Sequence, residues 1–248
     1  MAWTDRAAGA AGVALLLAAW EVVGRTKLLG LTFPPLTDVA AFLFDPNRAG
    51  LFQRAVGATG AAAAAGYVIG ALAGAGVALA GHLLRPARAG LDRLAAFVNA
   101  IPGIALGPIL IVTLGRESAP VALAGLHVYF LVYVAATSGL AAASSAHHDL
   151  FSSLGAPPTR RFLNLELPAA LPTVVSALKL SAPAALLGAI LGEWFGAERG
   201  LGVLVVNAMQ NFQVALLWSA VSLAALLSLA AYGVLSLLER VVHGRFRA

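Results

Sequence analysis

The stretch "SSLGAPPTRRFLNLELPAALPTV", residues 152–174, carries Arg160, Arg161, Asn164, Glu166 and four prolines. It lies between two long apolar runs. The chain around it is oily: of 248 residues, 60% are hydrophobic and 11% charged, and the mean hydropathy is +0.87. A soluble domain has about a quarter of its residues charged, so a soluble globular fold is excluded. The composition defines one helical membrane domain over residues 1–248. There is no cysteine, which removes disulfides, thiolate metal sites and haem attachment through CxxCH. The net charge is +5. Its basic residues cluster in short loops, which is a topology signal rather than a nucleic-acid footprint.

A span needs about 20 mostly apolar residues. Six stretches meet that need: 7–24, 57–80, 94–114, 118–143, 172–192 and 214–238. The first could be mistaken for a signal peptide because Arg6 precedes an apolar run. A retained span is preferred, since every later segment also needs a membrane. Between the first two spans, "FPPLTDVAAFLF" predicts a Pro-Pro turn and a short interfacial helix with Thr37 as its cap. Gly66, Gly70 and Gly74 recur every four residues and so share one helix face, the pattern for close helix packing. The third span is interrupted by Asn99, Pro102, Gly103 and Pro108. "GRES" reads as a tight turn, and 193–213 as an amphipathic connection.

Orientation follows from the basic residues. With the amino terminus inside, inner segments hold Arg6, Arg85, Arg88, Arg93, Arg160, Arg161, Arg240, Arg245 and Arg247. Outer segments hold Arg25, Lys27, Arg48, Arg54, Arg116 and Arg199. Lys179 is expected to snorkel to the inner side. The bias predicts both termini in the cytoplasm, and places residues 144–171 there as a loop between the fourth and fifth spans. Pro157 and Pro158 fit a helix start, and Pro168 and Pro172 its end. The expectation is a short amphipathic helix lying across the end of the bundle, with Arg160, Arg161 and leucines available to a partner. Gly155 suits a reversal with positive φ.

In register, this passage resembles the cytoplasmic E-A-A loop of permease subunits of ABC importers. That pattern is E-A-A, three residues, Gly, nine residues, then I-x-L-P. Gly155, Leu165, Leu167 and Pro168 fall at matching positions, while Asp149, Leu150 and Phe151 stand where E-A-A would be and keep only the acid. "IPGIALGPILIVTLGRES", "GEWFGAERGLGVLVVNA" and "FPPLTDVAAFL" are similar, in order, to segments of permeases for nitrate, sulfonates and taurine. The resemblance implies one membrane subunit of an importer in a bacterial inner membrane. Two permeases, the same or related, would pair around a pathway, and an external binding protein would deliver a small polar solute. Two ATPase subunits, holding ATP and Mg, would dock on the loop through Asp149, Ser153, Leu154, Gly155, Pro158, Arg160, Arg161, Phe162, Leu165, Leu167 and Pro168. The implied cargo is a sulfonate, taurine or nitrate, or alternatively a vitamin precursor such as a hydroxymethylpyrimidine.

The remaining polar residues are few. This chain has no GxxxxGK[ST] phosphate cradle, so catalytic residues and a cofactor of its own are not expected. Asn99 and His127 are the most internal polar residues and candidates for the pathway. Glu193 is a candidate gate, set against an ordinary interfacial carboxylate. Trp194, Trp218 and Tyr129 read as belt or packing aromatics. His147, His148 and Asp149 look like metal ligands, but adjacent helical residues point about 100° apart, and no metal site is expected. A stand-alone secondary transporter would want an inverted repeat and deep acids for ion coupling. A membrane enzyme would want clustered His, Asp, Glu or Ser. The spans offer neither.

Overall fold

Long apolar runs in this chain have no choice but helix, because a backbone in lipid must satisfy its polar groups internally. In the computed structural model, which describes residues 2–246, every regular element is helical. The Arg247 assigned to the inner side lies outside the described residues, as do the side chains of Arg6 and Arg245. The helices are α1 (Ala2–Thr26), α2 (Leu36–Leu43), α3 (Ala49–Leu83), α4 (Arg88–Ala100), α5 (Gly103–Leu114) and α6 (Ser118–Leu140). They continue with α7 (Ser145–Ser153), α8 (Pro158–Arg161), α9 (Leu167–Glu193), α10 (Leu201–Gln210) and α11 (Val214–Phe246). Five helices are long and apolar enough to cross a membrane, and six spans result if α4 and α5 count together as one.

α6 is the central helix, with 56% of its most apolar window buried, against 6% for α1. α3 and α9 flank it at backbone contact. A Cβ on Gly66 would stand 2.5 Å from the carbonyl oxygen of Val121, and one on Gly74 2.5 Å from that of Tyr129. On the other side, a Cβ on Gly188 would stand 2.6 Å from the carbonyl oxygen of Leu123. Small residues permit this approach, and dispersion between close backbones then replaces the hydrophobic drive that lipid does not supply. Ala63, Ala124, Val128, Val132, Ala185, Leu186 and Ala189 fill the shared seam.

The third span, 94–114, is broken at Pro102 as expected: 85–100 and 103–114 meet at 94°. Pro102 gives no N–H, and the residue before it is pushed from the helical region; Ile101 is extended, with φ −74° and ψ 121°. The predicted helix at 158 does not stop at Pro168 or Pro172. The chain is helical from Pro158 to Glu193. A π-turn at Phe162–Glu166, closed by Leu167 N–H to Phe162 O, widens the ladder just before Pro168. That relieves the clash of its ring with an upstream carbonyl. Thr37 does not cap α2; Pro35 holds the cap position. The Thr37 amide and hydroxyl instead donate to the Glu21 carboxylate of α1, at 3.0 and 2.8 Å. Lys179 has a partner within the bundle. Its Nζ pairs with Glu239 of α11 at 2.5 Å, 5.4 Å from the Tyr232 ring centroid.

The linker after α1 is pinned by aromatics. Trp218 donates to Thr32 O at 2.9 Å and Trp20 to Pro34 O at 3.1 Å. Their rings lie 5.2 Å apart, with Phe33 against both. An apolar body with one polar handle suits this corner.

Candidate functional sites at the two ends and the break

At one end of the bundle, α7 and α8 share the lining of one cavity with the ends of α3 and α6. Ser144 caps α7, accepting from the His147 amide. Gly155 sits at φ +65° between the two short helices, a conformation that favours glycine. Pro157 and Pro158 start α8. One buried side chain ties this segment down. Glu166, 5% exposed, accepts from His82 Nε2 at 2.7 Å. His148 Nδ1 lies 3.8 Å away and Arg161 Nε 3.3 Å away. His82 ends α3, His148 belongs to α7 and Arg161 to α8, so one carboxylate is hydrogen-bonded to α3 and faces a basic side chain from each of the two short helices. Phe162 packs its ring 5.8 Å from His82.

The rest of the segment points away from the bundle. Leu154 is 74% and Leu163 58% exposed. Asp149, Ser153, Gly155, Pro158 and Arg160 are exposed, Leu165 and Pro168 partly buried, and Leu167 borders on exposure at 38%. His147 is bound to Ser144. Among the described residues no group of three His, Asp or Glu converges to hold a metal.

Glu166→Ala removes the acceptor of the half-buried His82 and the charge facing Arg161. Loss of a hydrogen bond to a charged group costs about 1.5–3 kcal/mol. The expected result is faster amide hydrogen exchange across α7 and α8, with α6 protection unchanged. Equal exchange in both proteins would show that the segment is held by something else.

Sequence reading named Glu166 among the polar residues of this stretch without giving it a role, and did not reach His82. The available signal was an acid inside a leucine-rich helix and a histidine at the end of an apolar run, each needing a partner.

At the 94° break, Asn99 and His127 come to one place. Both line a cavity of about 170 Å³ with Pro102 and Gly103. His127 Nδ1 lies 2.8 Å from Leu123 O; a carbonyl only accepts, so Nδ1 carries the proton. The other edge of the ring faces the break, where a Cβ on Gly103 would stand 2.9 Å from Cε1. Asn99 is exposed and not internal, because the bend turns the end of α4 away from the bundle.

At the opposite end of α9 is Glu193, 2% exposed. An ordinary interfacial carboxylate is therefore ruled out. Thr59 of α3 donates to Oε1 at 2.7 Å, and the Gly202 amide to Oε2 at 2.8 Å. Thr59 in turn accepts from the Leu201 amide at 2.8 Å. Two orphan N–H groups at the start of α10 are thus satisfied by side chains from α9 and α3. Gly200 stands against the carboxyl group at φ +144° and has no room for a Cβ. The G-L-G after the acid is the mould around that carboxyl group.

A bundle of five or six spans, a helical strap across one end and a broken helix beside the core define a polytopic transport subunit. Residues 66–248 match the binding-protein-dependent transport system inner membrane component family, and the chain belongs to that family of multi-pass inner-membrane proteins. It is 34% identical over 168 residues to a probable ABC transporter permease protein of Haemophilus influenzae, covering 67% of this chain and 69% of that protein. It is 30% identical over 143 residues to the formylaminopyrimidine transport permease ThiX of Halalkalibacterium halodurans, 57% of each. It is 24% identical over 238 residues to the putative aliphatic sulfonates transport permease SsuC of Bacillus subtilis, 92% of this chain and 83% of that one. A chain of the inward-facing MetNI methionine ABC transporter superposes with a TM-score of 0.68 at 18% identity. The match covers 80% of this chain and 99% of that one, and it supports the fold.

Proposed function

We propose that this chain is the membrane subunit of an ATP-driven importer and that residues 144–171 are its coupling loop. Two ATPase subunits dock on the loop, a second permease completes the pathway, and an external binding protein delivers the solute. Both termini then face the cytoplasm. ATP-driven closure of the ATPase subunits moves the loop, and the loop moves the bundle as a rigid body. The observation that carries this reading is the loop's build: Glu166 clamps its inner face to α3, while Leu154 at 74% exposure faces outward with nothing of this chain over it. A rigid strap with an unpartnered apolar tip suits transmission of force to a partner.

The cargo proposed is a small polar organic solute. Similarity to SsuC supports a sulfonate, and similarity to ThiX supports a pyrimidine precursor of a vitamin. In either case Asn99 and His127 at the break are the proposed pathway contacts, because a neutral amide and an imidazole can pair with such groups without trapping them. Glu193 is left out of that role, since both its oxygens are engaged.

The test is co-expression with the ATPase subunit and reconstitution in nanodiscs. Leu154→Asp puts a charge on the exposed tip and should leave the fold intact. It is expected to reduce ATPase association at least about tenfold, the loss of one well-packed apolar anchor worth about 1.5–3 kcal/mol. Leu163→Asp should act alike. Full co-purification and ATPase activity in both variants would sink the coupling reading.

A further inference from the structure

Between the strap and the bundle lies a cavity of about 560 Å³, lined by Arg85, Arg88 and Arg161 along with His82, Thr137 and Glu166. We propose that it is a binding site for a tetrahedral oxyanion group: sulfate, phosphate or sulfonate, free or on a lipid headgroup.

Three guanidinium groups face this space and two carboxylates lie near it. Both carboxylates are engaged. Glu166 holds His82, and Asp92, one turn beyond Arg88, accepts from the Tyr133 hydroxyl at 2.5 Å. Among the described residues, Arg85 and Arg88 show no ion pair. Arg161 Nε stands 3.3 Å from Glu166 but its N–H is not aimed there, and it is buried without a hydrogen-bond partner. Thr137 Oγ1 is buried beside the Tyr133 hydroxyl, whose own proton goes to Asp92. A buried donor left unpaired is costly, and the unpaired Arg161 Nε in a cavity that two further unpaired arginines line points to an acceptor among them. Arginine forks match a tetrahedral oxyanion in geometry as well as charge. The three arginines come from the α3–α4 turn, the start of α4 and α8, and Thr137 from α6. An occupant would therefore fasten the strap to the bundle at a second point beside Glu166.

The inference concerns this chain alone and is tested without an ATPase, so its failure is separable from that of the importer reading. The full chain is placed in zwitterionic nanodiscs and titrated with sodium sulfate, phosphate or methanesulfonate against sodium chloride at constant ionic strength. Thermal midpoint and binding heat are read. A saturable upward shift with the oxyanions and none with chloride is expected. The doubly substituted Arg85→Gln, Arg88→Gln chain, altered only at exposed positions, should bind at least about tenfold more weakly. Thr137→Val should weaken binding by a smaller factor without adding charge effects. Repeating the titration in phosphatidylglycerol nanodiscs separates the sources: loss of the sulfate response there identifies a lipid headgroup as occupant, and an unchanged response a free anion. Chloride matching sulfate, or the double variant responding as the unaltered chain does, would overturn the proposal.

Discussion

Glu193→Ala is expected to lower the thermal midpoint of the detergent-purified protein by several degrees and to loosen α10. The substitution strands the Thr59 hydroxyl and the Gly202 amide, which donate to the two carboxyl oxygens. Two magnitudes compete. Hydrogen bonds inside membrane proteins average about 0.6 kcal/mol, because the unfolded chain in lipid also finds partners; two of them give about 1 kcal/mol. A buried donor left wholly unpaired costs about 1–3 kcal/mol, and two give about 2–6 kcal/mol. Thr59 is 0% exposed and Gly202 is buried, so neither water nor lipid can step in, and the larger figure should govern. Glu193→Gln should fall between. Its amide oxygen satisfies one donor, and its NH₂ then confronts the other. Gly200→Ala should behave like the alanine variant or worse, since its new methyl group would overlap the Glu193 carboxyl group. The measurement is thermal unfolding with α10 exchange as the local probe. If Glu193→Ala melts with the unaltered chain yet abolishes transport, the group is a gate and not a tie between helices.

The second large effect is expected at the α3–α6 seam. Gly70→Val should prevent recovery of a monodisperse protein, while Gly76→Val should be tolerated. Both glycines lie in the same helix. A Cβ on Gly70 runs into the Gly125 carbonyl oxygen and stands 2.9 Å from Val128 Cβ, whereas a Cβ on Gly76 meets nothing within 4 Å. The obstruction at Gly70 is backbone, which cannot rotate away, so the two helices must part along the seam. Overpacking of this kind costs about 1–3 kcal/mol even where side chains can adjust; here they cannot, and packing is most of what holds helices together in lipid. Gly76→Ala should even stabilise slightly, since alanine is about 1 kcal/mol better than glycine inside a helix. Size-exclusion profiles and thermal midpoints of the variants decide it. A well-behaved Gly70→Val protein would mean that α3 and α6 are not in backbone contact.

Much of the architecture was legible in the chain because lipid imposes a simple rule. Backbone groups must pair within the segment, so runs of about 20 apolar residues become helices. The all-helical membrane fold follows from that rule. That Gly66, Gly70 and Gly74 share a face is arithmetic, since residues four apart stack on a helix. That Pro102 ends a helix is local chemistry, because proline lacks an N–H and restricts the residue before it. The size of the resulting bend is not local, since it depends on what α4 and α5 rest against.

The long-range polar contacts were another matter. Glu166 meets His82 across 84 residues, and Glu193 meets Thr59 across 134. Period and propensity act over a few turns and say nothing about such distances. The continuity of the helix through Pro168, Pro172 and Pro183 was hidden for a related reason. Proline weakens a helix locally, but the α6 seam against which α9 packs holds it, and a π-turn takes up the misfit. Composition and periodicity thus settled where helices form and which faces can pack closely, because those are short-range consequences of side-chain size and backbone pairing. Which polar groups meet, and so which ends of the bundle are clamped and which are open to a partner, was left to tertiary packing. A buried polar group finds its partner only when the helices carrying both are brought together.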